Sequence, residues 1–284
     1  MDLGLTIFAT DQSMDMVELA REAEARGFTS LWTPEHTHIP TSRKTPAPAG
    51  EPLAEEYKRS LDPFVALTAA AVATERLRVG TGILLPAQRD PIVTAKEVAT
   101  LDLLSGGRFS LGIGFGWNED ELADHGVAMR DRRDVVRDRI KAMQALWADD
   151  VASYDGPHAH VSESWAWPKP VQTVGPDGRR GVPVLLGGAP GPKLFAHIVE
   201  YGDGWIPIGG SGVGKALPDL RRQLEDAGRD PSALLVIPFG TLPDPGKLDH
   251  YAELGITETV LRLPSASRDE VLATLDRYAP FVER

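Results

Sequence analysis

The chain has 284 residues, of which 42% are hydrophobic and 25% are charged, and its formal net charge at pH 7 is −11. This length and composition are typical of a globular protein that buries a sizeable hydrophobic core. The acidic balance argues against a nucleic-acid or anionic-membrane surface, because such surfaces need clustered Lys and Arg. Because cysteine is absent, disulfides, thiolate metal sites and thiol nucleophiles are excluded.

The start of the chain, from Met1 to Leu5, lacks the basic segment and the apolar run of a signal peptide. No apolar stretch approaches the ~20 residues that span a bilayer. We therefore expect a cytoplasmic protein that acts on a small molecule and has no nucleic-acid or membrane partner.

Short apolar runs alternate with amphipathic segments along the chain, which is the pattern of a parallel sheet wrapped by helices. The predicted strands are Leu3–Ala9, Ser30–Thr33, Leu77–Leu84, Phe109–Phe115, Val182–Leu186, Gly204–Ile208, Leu234–Phe239 and Thr259–Leu263. Eight strands match an eight-stranded barrel of roughly 250 residues, whereas a doubly wound sheet usually has fewer. We predict an α/β fold, a (β/α)8 TIM barrel, formed by residues 1–284 as a single domain with insertion loops at the barrel mouth.

The predicted helices carry their own start and stop signals. Asp15 and Glu18 have the spacing of a capping box at the start of the first helix, and Gly27 follows its last turn. Pro218 suits the first turn of a later helix that ends at Gly228.

Two segments interrupt this alternation of strands and helices. Residues 40–57 are polar and rich in proline, and they follow the second predicted strand. A loop after a barrel strand lies at the catalytic face, so this segment is predicted to be a lid. Residues 149–181 form a longer irregular segment after a helix, which would have to fold back across the barrel to reach the mouth.

Three predicted strands carry glycines at or just beyond their carboxyl ends. The segments are Thr81-Gly82-Ile83, at the end of the strand Leu77–Leu84, Gly114-Phe115-Gly116-Trp117-Asn118 and Gly187-Gly188-Ala189. The first two strand ends allow a ligand to approach the backbone, and they predict a cofactor site on a parallel barrel. The third loop also opens a helix, where backbone amides favour a phosphate.

Longer motifs link these loops to a known family. They are Gly27-Phe28-x-Ser30-Leu31-Trp32-x-Pro34-Glu35-His36, Arg89-Asp90-Pro91, Leu104-Ser105-Gly106-Gly107-Arg108, Leu111-Gly112-Ile113-Gly114-x-Gly116-Trp117, Trp167-Pro168-Lys169-Pro170-Val171-Gln172 and Gly202-Asp203-Gly204-Trp205. The chain resembles the bacterial luciferase-like monooxygenase superfamily, and within it the oxidoreductases that use the deazaflavin coenzyme F420. The resemblance implies a barrel with the cofactor ring at its C-terminal mouth, and a homodimer. It also implies a bulge behind the ring at Thr81-Gly82-Ile83, often with a non-prolyl cis peptide.

The resemblance also implies roles for individual residues. The cofactor would contact Thr81, Gly82, Ile83, Gly114, Gly116, Trp117, Asn118, Gly187, Gly188 and Ala189. His36, with Glu35 as its partner, would move the proton that accompanies hydride transfer between F420 and an organic substrate. An imidazole is suited to that work near neutral pH. The predicted substrate-binding residues are Trp32, His38, Trp165 and Trp205, although core packing explains the tryptophans equally well.

Four alternatives remain. The same fold could bind FMN and act as a monooxygenase with a separate flavin reductase, or it could bind flavin without catalysis. The His36-x-His38 spacing also occurs in metal hydrolases, but further ligands are poorly placed, so no metal is expected. Residues 209–216 nearly match a P-loop, but Ala216 stands where Mg²⁺ needs a hydroxyl. That loop could instead meet the acidic tail of F420, for which the candidate basic residues are Arg43, Lys44, Lys193 and Lys215.

Overall fold

The computed structural model describes residues 1–48 and 50–282, and within them thirteen strands and ten helices. The strands are β1 Asp2–Thr6, β2 Ser30–Thr33, β3 Arg78–Leu84, β4 Phe109–Ile113, β5 Ala152–Gly156, β6 Ala159–Ser164, β7 Thr173–Val174, β8 Arg179–Arg180, β9 Val184–Gly187, β10 Gly204–Ile206, β11 Leu235–Val236, β12 Phe239–Thr241 and β13 Glu258–Arg262. The helices are α1 Met16–Ala25, α2 Glu55–Lys58, α3 Pro63–Val72, α4 Pro91–Ser105, α5 Glu119–Asp124, α6 Arg132–Ala148, α7 Pro192–Tyr201, α8 Val213–Asp226, α9 Pro245–Glu253 and α10 Arg268–Tyr278.

Nine strands form one parallel sheet in the order β11-β10-β9-β4-β3-β2-β1-β13-β12. The sheet curls so that its two ends approach each other. Beyond β10, Ile208 forms a parallel bridge with Phe239 of β12, and the Phe239 N–H donates to the Pro207 carbonyl at 3.1 Å. The predicted parallel sheet is therefore confirmed.

Large apolar side chains fill the interior of the curled sheet. Trp32 of β2 meets Phe239 edge to face at 5.8 Å between ring centroids, and Leu185, Ile206 and Val260 complete this buried cluster. A second, larger cluster lies between the outer face of the sheet and the helices. Because both faces of the strands are buried, their sequences show little polar alternation.

Helix starts follow local signals, with one correction. Asp15 caps α1, where its carboxylate accepts the backbone N–H groups of Val17 and Glu18. Pro218, predicted in a first turn, lies inside α8, which already begins at Val213 after Gly212. The glycines of residues 209–214 resemble a loop, so the first turn of α8 could not be recognised.

The second irregular segment is more regular than predicted. Residues 149–181 contain two antiparallel hairpins, β5–β6 and β7–β8. The segment lies against the outer helices, since Nζ of Lys169 donates a hydrogen bond to the Leu146 carbonyl of α6 at 2.8 Å. The Val171 N–H likewise donates to the Asp102 carboxylate of α4 at 2.7 Å. These contacts hold the segment on the side of the sheet, away from the carboxyl ends of the strands.

The first irregular segment contributes side chains near those carboxyl ends. Residues 55–58 form α2, and the ring of Tyr57 lies 4.7 Å from that of Phe8 and 5.2 Å from that of His36. Tyr57 thus lies beside the first residues after β2, and the role of the segment as a lid stays a prediction. Across residues 1–48 and 50–282, no helix combines the length and the hydrophobicity that a membrane span requires.

Candidate functional site

His36 lies just beyond the carboxyl end of β2 and forms a pair with Glu121 of α5. Its Nδ1 lies 3.1 and 3.0 Å from the two carboxylate oxygens of Glu121. The two residues are 8% and 0% exposed. Sequence reasoning missed Glu121, whose only signal is the acidic run that follows the glycine loop of β4.

Trp117 contacts the opposite nitrogen of the His36 ring. Its indole Nε1 lies 3.4 Å from Nε2, and an indole N–H is a donor only. Nε2 therefore carries the lone pair and Nδ1 carries the hydrogen, which it donates to Glu121. In this tautomer Nε2 of His36 is the nitrogen that can accept a proton.

The surroundings of His36 are aromatic and include side chains of residues 40–57. The rings of Tyr57 and Trp117 lie 5.2 and 5.8 Å from the imidazole. The Arg43 guanidinium lies 5.8 Å from the Trp117 ring centroid and pairs with Glu51 at 2.7 Å. The Arg43 guanidinium thus lies near the site, and its positive charge is paired with the Glu51 carboxylate.

Glu35 has a different partner from the one predicted. Its carboxylate accepts one hydrogen bond from Nε–H of Arg89 at 2.5 Å and another from the Leu85 N–H at 2.7 Å. Burial raises the pKa of Glu35, and the adjacent Arg89 opposes that rise. Because both carboxylate oxygens are engaged, Glu35 is not the partner of His36. Instead it holds the loop after β3, and its own N–H donates to the Ile83 carbonyl at 3.1 Å.

The predicted bulge is present at the end of β3. Pairing between β3 and β4 shifts register between Thr81 and Leu84, and the Gly82–Ile83 peptide is cis. The Ile83 side chain packs over two glycines of neighbouring strand ends. A Cβ on Gly187 would lie 2.2 Å from Cδ1 of Ile83, and a Cβ on Gly114 would lie 2.9 Å from its Cγ2. The three predicted loops therefore meet at the carboxyl end of the sheet.

Asn118 is buried at this end with an unpaired amide. It precedes α5, but its side chain makes no capping hydrogen bond. The residue is 1% exposed, and among the described residues neither its Oδ1 nor its Nδ2 has a partner. Buried amides are almost always hydrogen-bonded, so one that is not indicates a ligand or a water at that position.

The loop after β9 is held by Trp205. The Trp205 indole donates to the Gly188 carbonyl at 2.9 Å, and the Gly188 N–H donates to the Ile206 carbonyl at 3.2 Å. Because the Gly188 N–H is already engaged, a phosphate at this loop would have to bind to backbone N–H groups that follow Gly188. Ala189 is exposed, and so is Lys193 in the first turn of α7.

Comparison with known proteins identifies the family. A model of the luciferase-like monooxygenase family matches residues 7–242. The chain belongs to this family. An uncharacterized protein of Mycobacterium tuberculosis is 41% identical over 283 residues, which cover 98% of each chain.

More distant matches carry named activities. An F420-dependent glucose-6-phosphate dehydrogenase of Amycolatopsis mediterranei is 29% identical over 221 residues, which cover 75% of this chain and 60% of that protein. The solved structure of an F420-dependent secondary alcohol dehydrogenase, bound to an F420-acetone adduct, superposes with a TM-score of 0.76 at 20% identity. That match covers 100% of this chain and 99% of the other. The fold of this luciferase-like chain is thus shared over its whole length.

Within the luciferase-like chain, the tryptophans predicted to bind substrate lie apart from His36. Trp32 is buried inside the curled sheet, and its indole donates to Ser30 at 2.7 Å. Trp205 is buried under α7 against Phe195. Trp165 is 82% exposed and borders a cavity of about 190 Å³ between α4, α6 and β6. For Trp32 and Trp205 the packing alternative describes the observed positions, whereas the exposed Trp165 is neither packed in the core nor near His36.

The remaining candidates lie at the rim or are already paired. His38 contacts Asp124 at 3.0 Å and is partly exposed, and Lys44 lies 3.8 Å from Asp120. Lys215 borders an open cavity of about 450 Å³ with Lys247 and His250, away from the His36 pair. In the part of the chain that the structure describes, no group of three His, Asp or Glu side chains is placed to bind a metal.

Proposed function

We propose that this protein is a cytoplasmic oxidoreductase that transfers a hydride between coenzyme F420 and a small organic substrate. The observation that carries the proposal is the buried, unpartnered amide of Asn118, which lies in the loop between β4 and α5. It offers both a donor and an acceptor to a polar cofactor ring. The F420-dependent relative supports F420 over other cofactors.

Residues at four strand ends would hold the cofactor. The bulge Thr81–Ile83 would support one face of the ring, with Asn118 at its polar edge. Gly114, Gly116 and Trp117 would border the ring, and Gly187, Gly188 and Ala189 would face the phosphate. When bound, the deazaflavin supplies a carbon that accepts or donates a hydride, while the protein supplies orientation and electrostatics. Nε2 of His36 would exchange the accompanying proton with the substrate.

The second candidate is an FMN-dependent monooxygenase with a separate reductase, which the family model favours through its monooxygenase members. It would use the same fold and the same strand ends. The two candidates differ in cofactor, so a binding measurement separates them.

The test is a parallel fluorescence and absorbance titration of cofactor-free protein with F420 and with FMN. Saturable micromolar binding of F420 alone supports the proposal. A preference for FMN would move the assignment to the monooxygenase, and binding of neither would reject both.

We also infer that the curled sheet is a closed eight-stranded barrel. In this reading β11 and β12 are halves of one strand interrupted at Pro238. The Ile237 N–H donates to the Trp205 carbonyl at 3.0 Å, and the Val260 N–H donates to the Pro238 carbonyl at 2.9 Å. The interrupted strand thus has a neighbour on each side. An experimental structure in which β12 is separated from the end of β10 would contradict closure of the barrel. We also expect residues 1–284 to form a single domain, which should unfold cooperatively in one transition when urea is added.

A homodimer is supported by an apolar surface on α3 and α4. Helix α3 has no charged residue, yet Val65 and Val72 are 73% and 63% exposed, and Ile92, Val93 and Leu104 of α4 are also exposed. A helix that is hydrophobic all round is usually buried. Light scattering should give a dimer mass for the parent protein and a monomer mass for Val65→Arg. A monomeric parent protein would refute this inference.

A further inference from the structure

We propose that Glu121 is a positioning residue that holds the hydrogen of neutral His36 on Nδ1, so that Nε2 acts as the base. The inference rests on the proposed hydride-transfer function and identifies which side chain tunes the proton-exchanging group.

The burial of Glu121 is the first step. Its side chain is 1% exposed, and among the described residues His36 is its hydrogen-bond donor, through Nδ1. A buried carboxylate is costly unless it is paired. The Glu121 carboxylate is thus paired at its buried position by the imidazole of His36.

The position of Trp117 is the second step. Its N–H points at Nε2, so the hydrogen of the neutral imidazole must lie on Nδ1, between the ring and Glu121. The long Trp117 contact of 3.4 Å is weak compared with the two contacts to Glu121. A substrate hydroxyl can therefore replace it as the partner of Nε2.

The proton balance follows from this geometry. For a substrate that carries a hydroxyl group, Nε2 of His36 would take the proton as the O–H bond breaks and its electron pair forms the carbonyl. A bound deazaflavin would supply the two-electron acceptor for the hydride that leaves the adjacent C–H bond. The resulting imidazolium lies beside the Glu121 carboxylate, which stabilises the positive charge. In the reverse direction Nε2–H returns the proton to the carbonyl oxygen.

Other charged groups near His36 are engaged elsewhere. Within residues 40–57, Arg43 pairs with Glu51, and Tyr57 contributes only a ring contact to the imidazole. The groups on the neighbouring strand ends and on α5 are paired or lie at the rim: Glu35 with Arg89, His38 with Asp124, and His125 with Thr37. Glu121 is thus the one carboxylate among the described residues that contacts the imidazole directly.

The test compares Glu121→Gln with Glu119→Gln. Glu119 lies two residues earlier in the same helix and is exposed, so its variant removes an equal charge without touching His36. Nitrogen chemical shifts of the His36 ring in cofactor-free protein, with His36→Ala to assign the signals, are expected to change in Glu121→Gln. A neutral amide can either accept from Nδ1 or donate to it, so it no longer selects one tautomer. The shifts of Glu119→Gln should stay close to those of the parent, and unchanged shifts in folded Glu121→Gln would overturn the inference.

A second measurement needs no variant. Nitrogen chemical shifts of the neutral His36 ring in the parent protein should report hydrogen on Nδ1, and hydrogen on Nε2 would overturn the inference. Both readouts use cofactor-free protein, so they stay valid if neither F420 nor FMN binds and the proposed function fails. When the protein is assayed with F420 and an alcohol, the variant Glu121→Gln should have a kcat about tenfold lower than the parent, while its Kd for F420 is unchanged.

Discussion

Glu35 and Arg89 form a buried ion pair that ties the end of β2 to the loop after β3. Nε of Arg89 lies 2.5 Å from the Glu35 carboxylate. The same guanidinium pairs with Asp62 at 2.5 Å, just before α3, and with Glu97 of α4 at 3.0 Å. One cation thus joins a strand end to two helices directly behind the candidate cofactor site.

Replacing Arg89 with Met is expected to destabilise the protein strongly. Glu35 would remain buried without its cation, which typically costs about 3–5 kcal/mol. The free energy of unfolding in urea measures the effect. The double variant Arg89→Met/Glu35→Gln should recover part of the loss, because it removes the unpaired charge. A loss below about 1 kcal/mol for Arg89→Met would show that the pair contributes little.

The pH dependence of stability should include a contribution from Glu24. Burial pushes the pKa of this carboxyl up, but the backbone N–H groups of Arg76, Leu77 and Glu75 together hold it below its ordinary value of 4.5. Because the folded-state pKa is depressed, the stabilisation is present above pH 4.5 and is lost as the pH falls through the folded-state pKa.

The variant Glu24→Gln should therefore lose about 1–2 kcal/mol of unfolding free energy at pH 7. The difference from the parent should shrink as the pH is lowered below 4.5, where the parent carboxyl becomes protonated. Urea denaturation at several pH values measures both quantities. Glu163→Gln, at an exposed glutamate, is the control, and an equal change in both variants would contradict the prediction.

Much of the fold could be predicted because apolar runs mark buried parallel strands. The strand at Ser30–Thr33 was predicted with its observed bounds, and most of the others lie within a few residues of theirs. The single strand predicted over Leu234–Phe239 is instead two short strands, β11 and β12, which are separated by Ile237 and Pro238. The hairpins within residues 149–181 were missed. The strands β5 and β6 consist mostly of polar and small residues, so they lack the apolar run that identifies a buried strand.

The candidate site was only partly predictable, because side-chain direction after a strand depends on the path of the loop. His36, the bulge and the glycine loops meet at one end of the sheet, as parallel strand ends must. Which acidic residue faces His36 was not predictable. Glu35 is next to it in sequence, but adjacent residues leaving a strand point to opposite sides, and Glu121 comes from another element.

Asn118→Ala is expected to separate cofactor binding from stability. In cofactor-free protein the amide has no partner among the described residues, so its removal should leave the free energy of unfolding unchanged or slightly higher. Each hydrogen bond lost to the cofactor should weaken binding by about 1 kcal/mol, roughly fivefold in Kd. Thermal unfolding and F420 titration check the two halves. Weakened stability with unchanged binding would mean that the amide is structural.

Gly187→Ala should displace the Ile83 side chain toward the cofactor. The added Cβ would lie 2.2 Å from Cδ1 of Ile83 and 3.3 Å from the Ile113 carbonyl oxygen, so the flexible end of Ile83 must move. Such overpacking typically costs about 1–3 kcal/mol. If Ile83 supports the ring, F420 binding should weaken as well.

The double variant Gly187→Ala/Ile83→Val tests the cause of this loss. Valine has no Cδ1, so the overlap at 2.2 Å disappears, and the nearest remaining contacts, with Cγ1 and the Ile113 carbonyl oxygen, are 3.3 Å. We expect stability and F420 affinity to recover together toward those of Ile83→Val alone. If stability recovers and affinity does not, Gly187 itself contacts the cofactor, and Ile83 is not the surface that supports the ring.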